Sequence, residues 1–143
     1  MGVNLITEDE RWQIEESKIC FVVKAVRNEL GVPEEEEVAI VLMDDAAIHD
    51  YNRRYRNKDK PTNVLSFPSA EPDEWGDLLL SYDRVLEEAQ QQNKRFDDHL
   101  IHLLVHGLLH LSGYDHEEDD EAEEMEALEV MILEKLGIAD PYR

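Results

Sequence analysis

The chain has 143 residues, 42% of them apolar, and a formal net charge of −21. That length and apolar content suit one domain with one sizeable core and exclude global disorder. So large an acidic excess argues against unaided binding to an anionic membrane, and against nucleic-acid binding unless the basic residues are gathered in one place.

In chain order, residues 2–7 (G-V-N-L-I-T) read as a short strand. Apolar residues then recur at helical spacing (Ile19, Val22, Val23, Val26, Leu30), predicting a helix from Trp12 to Leu30 that stops at Gly31. The single cysteine, Cys20, falls in the apolar run I-C-F-V-V and reads as a small buried hydrophobe. A lone cysteine cannot form an internal disulfide, so a reducing compartment fits. The N-terminus lacks a signal-peptide pattern and no apolar run is long enough to span a bilayer, so a cytoplasmic location is expected. The run V-A-I-V-L-M at 38–43 predicts a buried strand, with Asp44-Asp45 capping a helix over about 45–55. After the loop N-K-D-K-P-T-N comes a short strand, V-L-S-F-P. The segment E-P-D-E-W-G predicts a turn, 78–82 another strand, and 83–94 a polar helix. A nearly all-apolar helix is predicted over about 98–111. An amphipathic helix follows over 119–136, with Met125, Leu128, Ile132 and Leu136 on one face and Gly137 as its stop. Four strands and five helices in this order predict one α/β (α+β) domain with a mixed sheet. The acidic run from Asp115 to Glu129 reads as a solvated helix face, since nothing in the sequence turns its carboxylates inward.

The helix over 98–111 carries the chemistry. It is apolar apart from His99, His102, His106 and His110, which step by three, four and four and so share one stripe. A helix apolar around its remaining surface is buried, so this stripe must face a cleft, a metal or compensating partners. His106 and His110 lie one turn apart and can hold one ion. Gly113 lets the chain turn back, bringing His116 in as a third ligand. Three neutral imidazoles suit Zn²⁺ and leave a fourth position open, as catalytic sites do. His102 reads as a polar neighbour or a residue supporting a ligand, and Asp115 as a side chain that could orient a histidine or water. His99 and His49 read as ordinary hydrogen-bonded histidines.

The spacing H-x-x-x-H-x-x-G-x-x-H is metzincin-like, but Gly107 stands where those peptidases keep a general-base Glu. That mechanism is therefore missing. A phosphodiester substrate instead calls for charge stabilisation on the phosphoryl group, which an arginine near a metal can give. Residues 53–60 (R-R-Y-R-N-K-D-K) hold five of the chain's 14 basic residues: Arg53, Arg54, Arg56, Lys58 and Lys60. Tyr51 and Tyr55, interleaved with them, could stack on unpaired bases. An ordinary basic helix end explains the patch equally well.

The block Y-R-N-K-D-K-P-T-N-V-L-S-F-P, then G-D at 76–77, then H-G-L-L-H-L-S-G-Y-D-H and a closing M-E-A-L-E helix, resembles the YbeY family from about residue 38 to the end. The resemblance implies a single-strand-specific, metal-dependent endoribonuclease. It implies maturation of the 3′ end of small-subunit ribosomal RNA, and ribosome quality control. It implies a mixed sheet with helices and a zinc held by His106, His110 and His116, other divalent metals being possible, and it places the family's functionally important arginine on Arg56. Asn63 makes the chain a T-N rather than a T-D member, so no proton transfer is assigned there. Single-stranded ribosomal RNA is the expected substrate, bound by Arg53, Arg54, Lys58 and Lys60, with ribosomal proteins or assembly factors as partners and no membrane. Two rivals remain: a non-catalytic ribosome assembly factor with a structural zinc, and a metallohydrolase acting on another substrate class.

Overall fold

A computed structural model describes residues 2–115 and 117–142. Its elements run β1 (Val3–Thr7), α1 (Glu16–Leu30), β2 (Glu37–Met43), α2 (Asp45–Arg56), β3 (Val64–Pro68), β4 (Glu74–Ser81), α3 (Tyr82–Gln91), α4 (Phe96–Leu111) and α5 (Asp119–Lys135). The four strands form one mixed sheet in the order β1-β2-β4-β3, with β1, β2 and β4 parallel and β3 antiparallel to β4. The expected α/β fold with a mixed sheet is the observed one.

Strand alternation divides the interior in two. Val38, Ile40 and Leu42 of β2 and Leu78 and Leu80 of β4 join the main core with α1, α4 and α5. Met43, Leu65 and Leu79 face the other way, into a smaller cluster closed by Ile48 of α2. Helix α4 is the centre of the larger core. Leu100, Leu104, Val105, Leu108 and Leu109 are all fully buried, each leucine contributing about 1.5–3 kcal/mol against exposure.

Helix α3 ends at Gln91 rather than near residue 94, and two predicted starts move further. Helix α1 begins at Glu16 rather than near Trp12. Asp9 accepts hydrogen bonds from both the backbone and the side chain of Arg11, making a local turn that competes with helix. Trp12 swings into the core instead, where its indole N–H donates to the Met43 carbonyl at the end of β2 (3.1 Å). Strand β4 begins at Glu74, so part of the predicted turn E-P-D-E-W-G is strand. Trp75 is buried there, and its indole N–H donates to the hydroxyl of Ser112, just past α4 (3.0 Å). Cys20, expected to be buried, is only half-buried on α1. Among the described residues no helix is long and apolar enough to cross a membrane.

Gly107 sits where α4 crosses the sheet. A Cβ built on it would lie 2.8 Å from Cδ2 of Leu78 and 3.3 Å from Cγ2 of Val64. The Ser66 hydroxyl of β3 donates to the Gly107 carbonyl at 3.2 Å. The glycine thus brings the histidine helix against β3 and β4, the strand-approach role its position allows.

Gly107→Ala should lower stability by about 1–3 kcal/mol through overpacking, measured by urea unfolding. Gly107→Glu, which completes the peptidase motif on paper, should give a misfolded chain rather than a peptidase. Wild-type stability in Gly107→Ala would show that the contact with Leu78 does not constrain the helix.

Candidate metal centre

The stripe of four histidines divides between two carboxylates and a backbone carbonyl. His99 is buried, and its Nε2 is paired with Glu88 of α3 (2.8 Å). Glu88 also accepts from the Asn63 amide (3.1 Å). Burial works to raise the Glu88 carboxyl, but these bonds hold it below its ordinary range. His102 Nε2 lies 3.3 Å from Glu129 of α5, and His106 Nδ1 bonds to the same carboxylate. The hydroxyl of Tyr142 also donates to Glu129. Glu129 is completely buried. Burial alone would push its pKa up, yet the hydrogen bonds from His102, His106 and Tyr142 bring it down to about 2. Ionised Glu129 can only accept, so His106 carries its proton on Nδ1.

His110 is oriented by backbone instead. Its Nδ1 lies 2.9 Å from the Tyr114 carbonyl, which can only accept, so this ring too is protonated on Nδ1. That contact exists because the chain turns sharply after α4, with Gly113 at φ +98°, a conformation glycine adopts at little cost. With both protons on Nδ1, neither Nε2 carries a hydrogen, and the two Nε2 atoms stand 3.1 Å apart. Two acceptors at that distance repel unless a cation or a proton lies between them. Two nitrogens bound to one tetrahedral ion at about 2.0–2.1 Å stand roughly 3.3 Å apart. The donor chemistry and spacing of His106 and His110 therefore fit a shared metal ion. His116, the third predicted ligand, lies outside the described residues, and no group of three metal-capable side chains occurs among those that are described.

A groove of about 640 Å³ opens in front of this pair. Its lining includes His106, His110, Asp115 and Glu117 together with Arg56, Lys58, Lys60 and Ser66. Arg56, the last residue of α2, donates to the Ser66 carbonyl and lies over the Phe67 ring, 4.9 Å from its centroid. Ser66 thereby links the arginine to the histidine helix through Gly107. Asn57 follows in a left-handed turn (φ 60°), and the buried Asn52 amide donates to the Lys60 carbonyl (2.9 Å), fixing the loop that carries both lysines.

The predicted basic patch divides. Arg53 and Arg54 both pair with Asp50 on the exposed side of α2 and are not among the groove's lining residues. Tyr51 and Tyr55 stack on each other (5.8 Å) and line a different cavity, over the sheet. His49 pairs with Asp59. Asn63 spends its amide on Glu88 and its carbonyl oxygen on the Val64 N–H (2.7 Å). Sequence reasoning missed Glu129. The signal was present: an acid four residues after Met125 and three before Ile132 lies on the apolar stripe of α5, not on its solvated face.

The fold and the paired histidines define an α/β protein with a metal-capable histidine helix behind a basic groove. The family model of Endoribonuclease YbeY matches residues 5–137, and the chain belongs to that family. An endoribonuclease YbeY of Azorhizobium caulinodans is 47% identical over 153 aligned positions, covering 99% of this chain and 96% of the relative. One from Bradyrhizobium sp. strain BTAi1 is 52% identical, covering 87% and 78%. The solution structure of TM1509 from Thermotoga maritima is similar at a TM-score of 0.61 and 25% identity, covering 94% of this chain and 91% of that one.

Glu129→Gln should weaken zinc binding about 10- to 100-fold, because an amide holds the His106 ring less firmly in its metal-binding tautomer. Competition with a chromogenic chelator measures this directly. Unchanged affinity in a folded variant would show that Glu129 serves packing rather than the ligand.

Proposed function

We propose that this chain is a zinc-dependent, single-strand-specific endoribonuclease of ribosomal RNA processing, working as one domain over residues 1–143 in the cytoplasm. Family membership supports endoribonuclease activity. The observation that carries the metal-dependent part is the convergence of the His106 and His110 Nε2 atoms on the wall of a groove faced by Arg56, Lys58 and Lys60.

The reading assigns His106, His110 and His116 to the metal. When bound, a zinc ion would supply Lewis acidity toward phosphoryl oxygens and water. Glu129 and the Tyr114 carbonyl hold the His106 and His110 rings in the required tautomer, so neither of these two rings has to reorganise. The reading assigns Arg56 to donating to non-bridging phosphoryl oxygens, whose negative charge grows in the transition state. Its other contacts, the Ser66 carbonyl and the Phe67 ring, are uncharged. An incoming phosphate therefore meets a guanidinium already positioned and not neutralised by a carboxylate among those contacts. Lys58 and Lys60 steer the flanking backbone, while Asp115 is assigned to orienting water or a histidine. Arg53 and Arg54, on the outer side of α2, would meet RNA only where it leaves the groove. Gly107 leaves the helix with no peptidase base, which favours phosphodiesters over peptides. In an acidic protein this local basic lining gives modest affinity, and ribosomal proteins or assembly factors would supply the rest. On family membership, the proposal extends to maturing the 3′ end of small-subunit ribosomal RNA and to ribosome quality control.

Metal-loaded Arg56→Ala should cut a single-stranded ribosomal RNA fragment about 10²- to 10³-fold more slowly than wild type. Circular dichroism and zinc content should be unchanged. The slope of log binding constant against log salt should fall in magnitude by about one. Equal cleavage by both proteins would remove Arg56 from the mechanism. No cleavage by wild type, with zinc retained, would favour an assembly factor in which the metal is structural.

A further inference from the structure

A second cavity, of about 550 Å³, lies beside the groove and is not used by the mechanism above. The two share Asn63 and His106 as wall residues, so they meet across the histidine stripe. Its other walls include His102, Gln92, Lys94 and Tyr142. Its volume is within the range of small-molecule sites. Lys94 is presented by the turn after α3, where Asn93 adopts φ 56° and the Lys94 N–H bonds back to the Ala89 carbonyl (2.8 Å). Tyr142 is anchored at its hydroxyl by Glu129 and at its ring by His102 (centroids 5.7 Å, 86°), yet its side of the cavity stays half exposed. Glu88 is the one carboxylate among the described lining residues, and it is engaged by His99 and Asn63. The described lining thus combines a fixed, accessible aromatic ring, an amide and an ammonium group with an acid that is already paired.

Those groups match an unpaired nucleotide: a ring for the base, an amide for its edge and a cation for its phosphate. An enzyme that cuts within a chain must also hold RNA on both sides of the scissile bond, and the reading above assigns the Arg56 groove to one side. We propose that this second cavity is the subsite for the nucleotide flanking the scissile phosphate on the side away from Arg56, with its base stacked on Tyr142 and its phosphate toward Lys94. The proposal rests on the endoribonuclease reading and deepens it.

The test uses zinc-loaded full-length protein and single-stranded oligoribonucleotides carrying one abasic ribose, placed on either side of the mapped cleavage site. In wild type, an abasic residue on one side should slow cleavage about ten-fold. Tyr142→Leu should slow cleavage of the intact oligonucleotide by a similar factor and lose that sensitivity. Tyr142→Phe, which keeps the ring but not the bond to Glu129, should keep the ratio of intact to abasic cleavage whatever its overall rate. Lys94→Gln should weaken binding of both substrates alike. Base-independent cleavage on both sides, or a Tyr142→Leu variant with the wild-type ratio, overturns the subsite. If wild type cuts nothing, the endonuclease reading has failed, and the subsite is judged by anisotropy of a fluorescent all-deoxy hexanucleotide. Binding weakened several-fold by Tyr142→Leu and not by Tyr142→Phe then supports it, and unchanged binding overturns it.

Discussion

A helix buried around most of its circumference cannot leave four imidazoles along one side without partners. Helix α4 meets that constraint with two carboxylates from different helices and one backbone carbonyl: Glu88 from α3, Glu129 from α5 and Tyr114 from the turn after α4 itself. The rest of the site follows. In His106 and His110 the acceptor receives a hydrogen bond from Nδ1–H, so Nε2 is the nitrogen that keeps its lone pair. The geometry is held by tertiary structure, so the rings are positioned before any metal arrives. Completely buried, Glu129 would be costly as an isolated anion. Hydrogen bonds from two imidazoles and a phenol make it tolerable, and in return its charge fixes the tautomer of His106.

The same helix must also approach the sheet closely, and Gly107 makes this possible. One residue therefore separates this chain from the peptidase pattern twice over. It removes the general base, and it admits β3, whose Ser66 joins α4 to Arg56 through hydrogen bonds to both. The result is a groove lined by three basic side chains and the histidine pair in a protein of net charge −21. Arg56, Lys58 and Lys60 gather at a groove that also contains His106, His110, Asp115 and Glu117, while α5 begins with an acidic first turn.

Much of this was legible in the residues. Periodicity and caps placed all nine elements, because helix and strand patterns here are strong and uninterrupted. The histidine spacing named the pair that converges. What the sequence hid were interactions between distant segments. The start of α1 moved because Trp12 found a carbonyl on β2, and the start of β4 moved because Trp75 is buried against the end of α4. Glu129 was concealed by its neighbours, in a run so acidic that one more carboxylate looked solvated. Its place on the stripe with Met125 and Ile132 mattered more than the composition around it. The basic patch was read as one unit, but helical geometry turns Arg53 and Arg54 toward Asp50, while Arg56 and the loop after it turn toward the groove.

The central claim is that Glu129 and the Tyr114 carbonyl preset His106 and His110 to share one metal ion. X-ray absorption at the zinc edge of the purified, zinc-loaded protein tests it most directly. The account predicts three imidazole nitrogens at about 2.0–2.1 Å, one light-atom ligand from solvent, and no sulfur. A first shell with one imidazole or none, or with sulfur from Cys20, would contradict it.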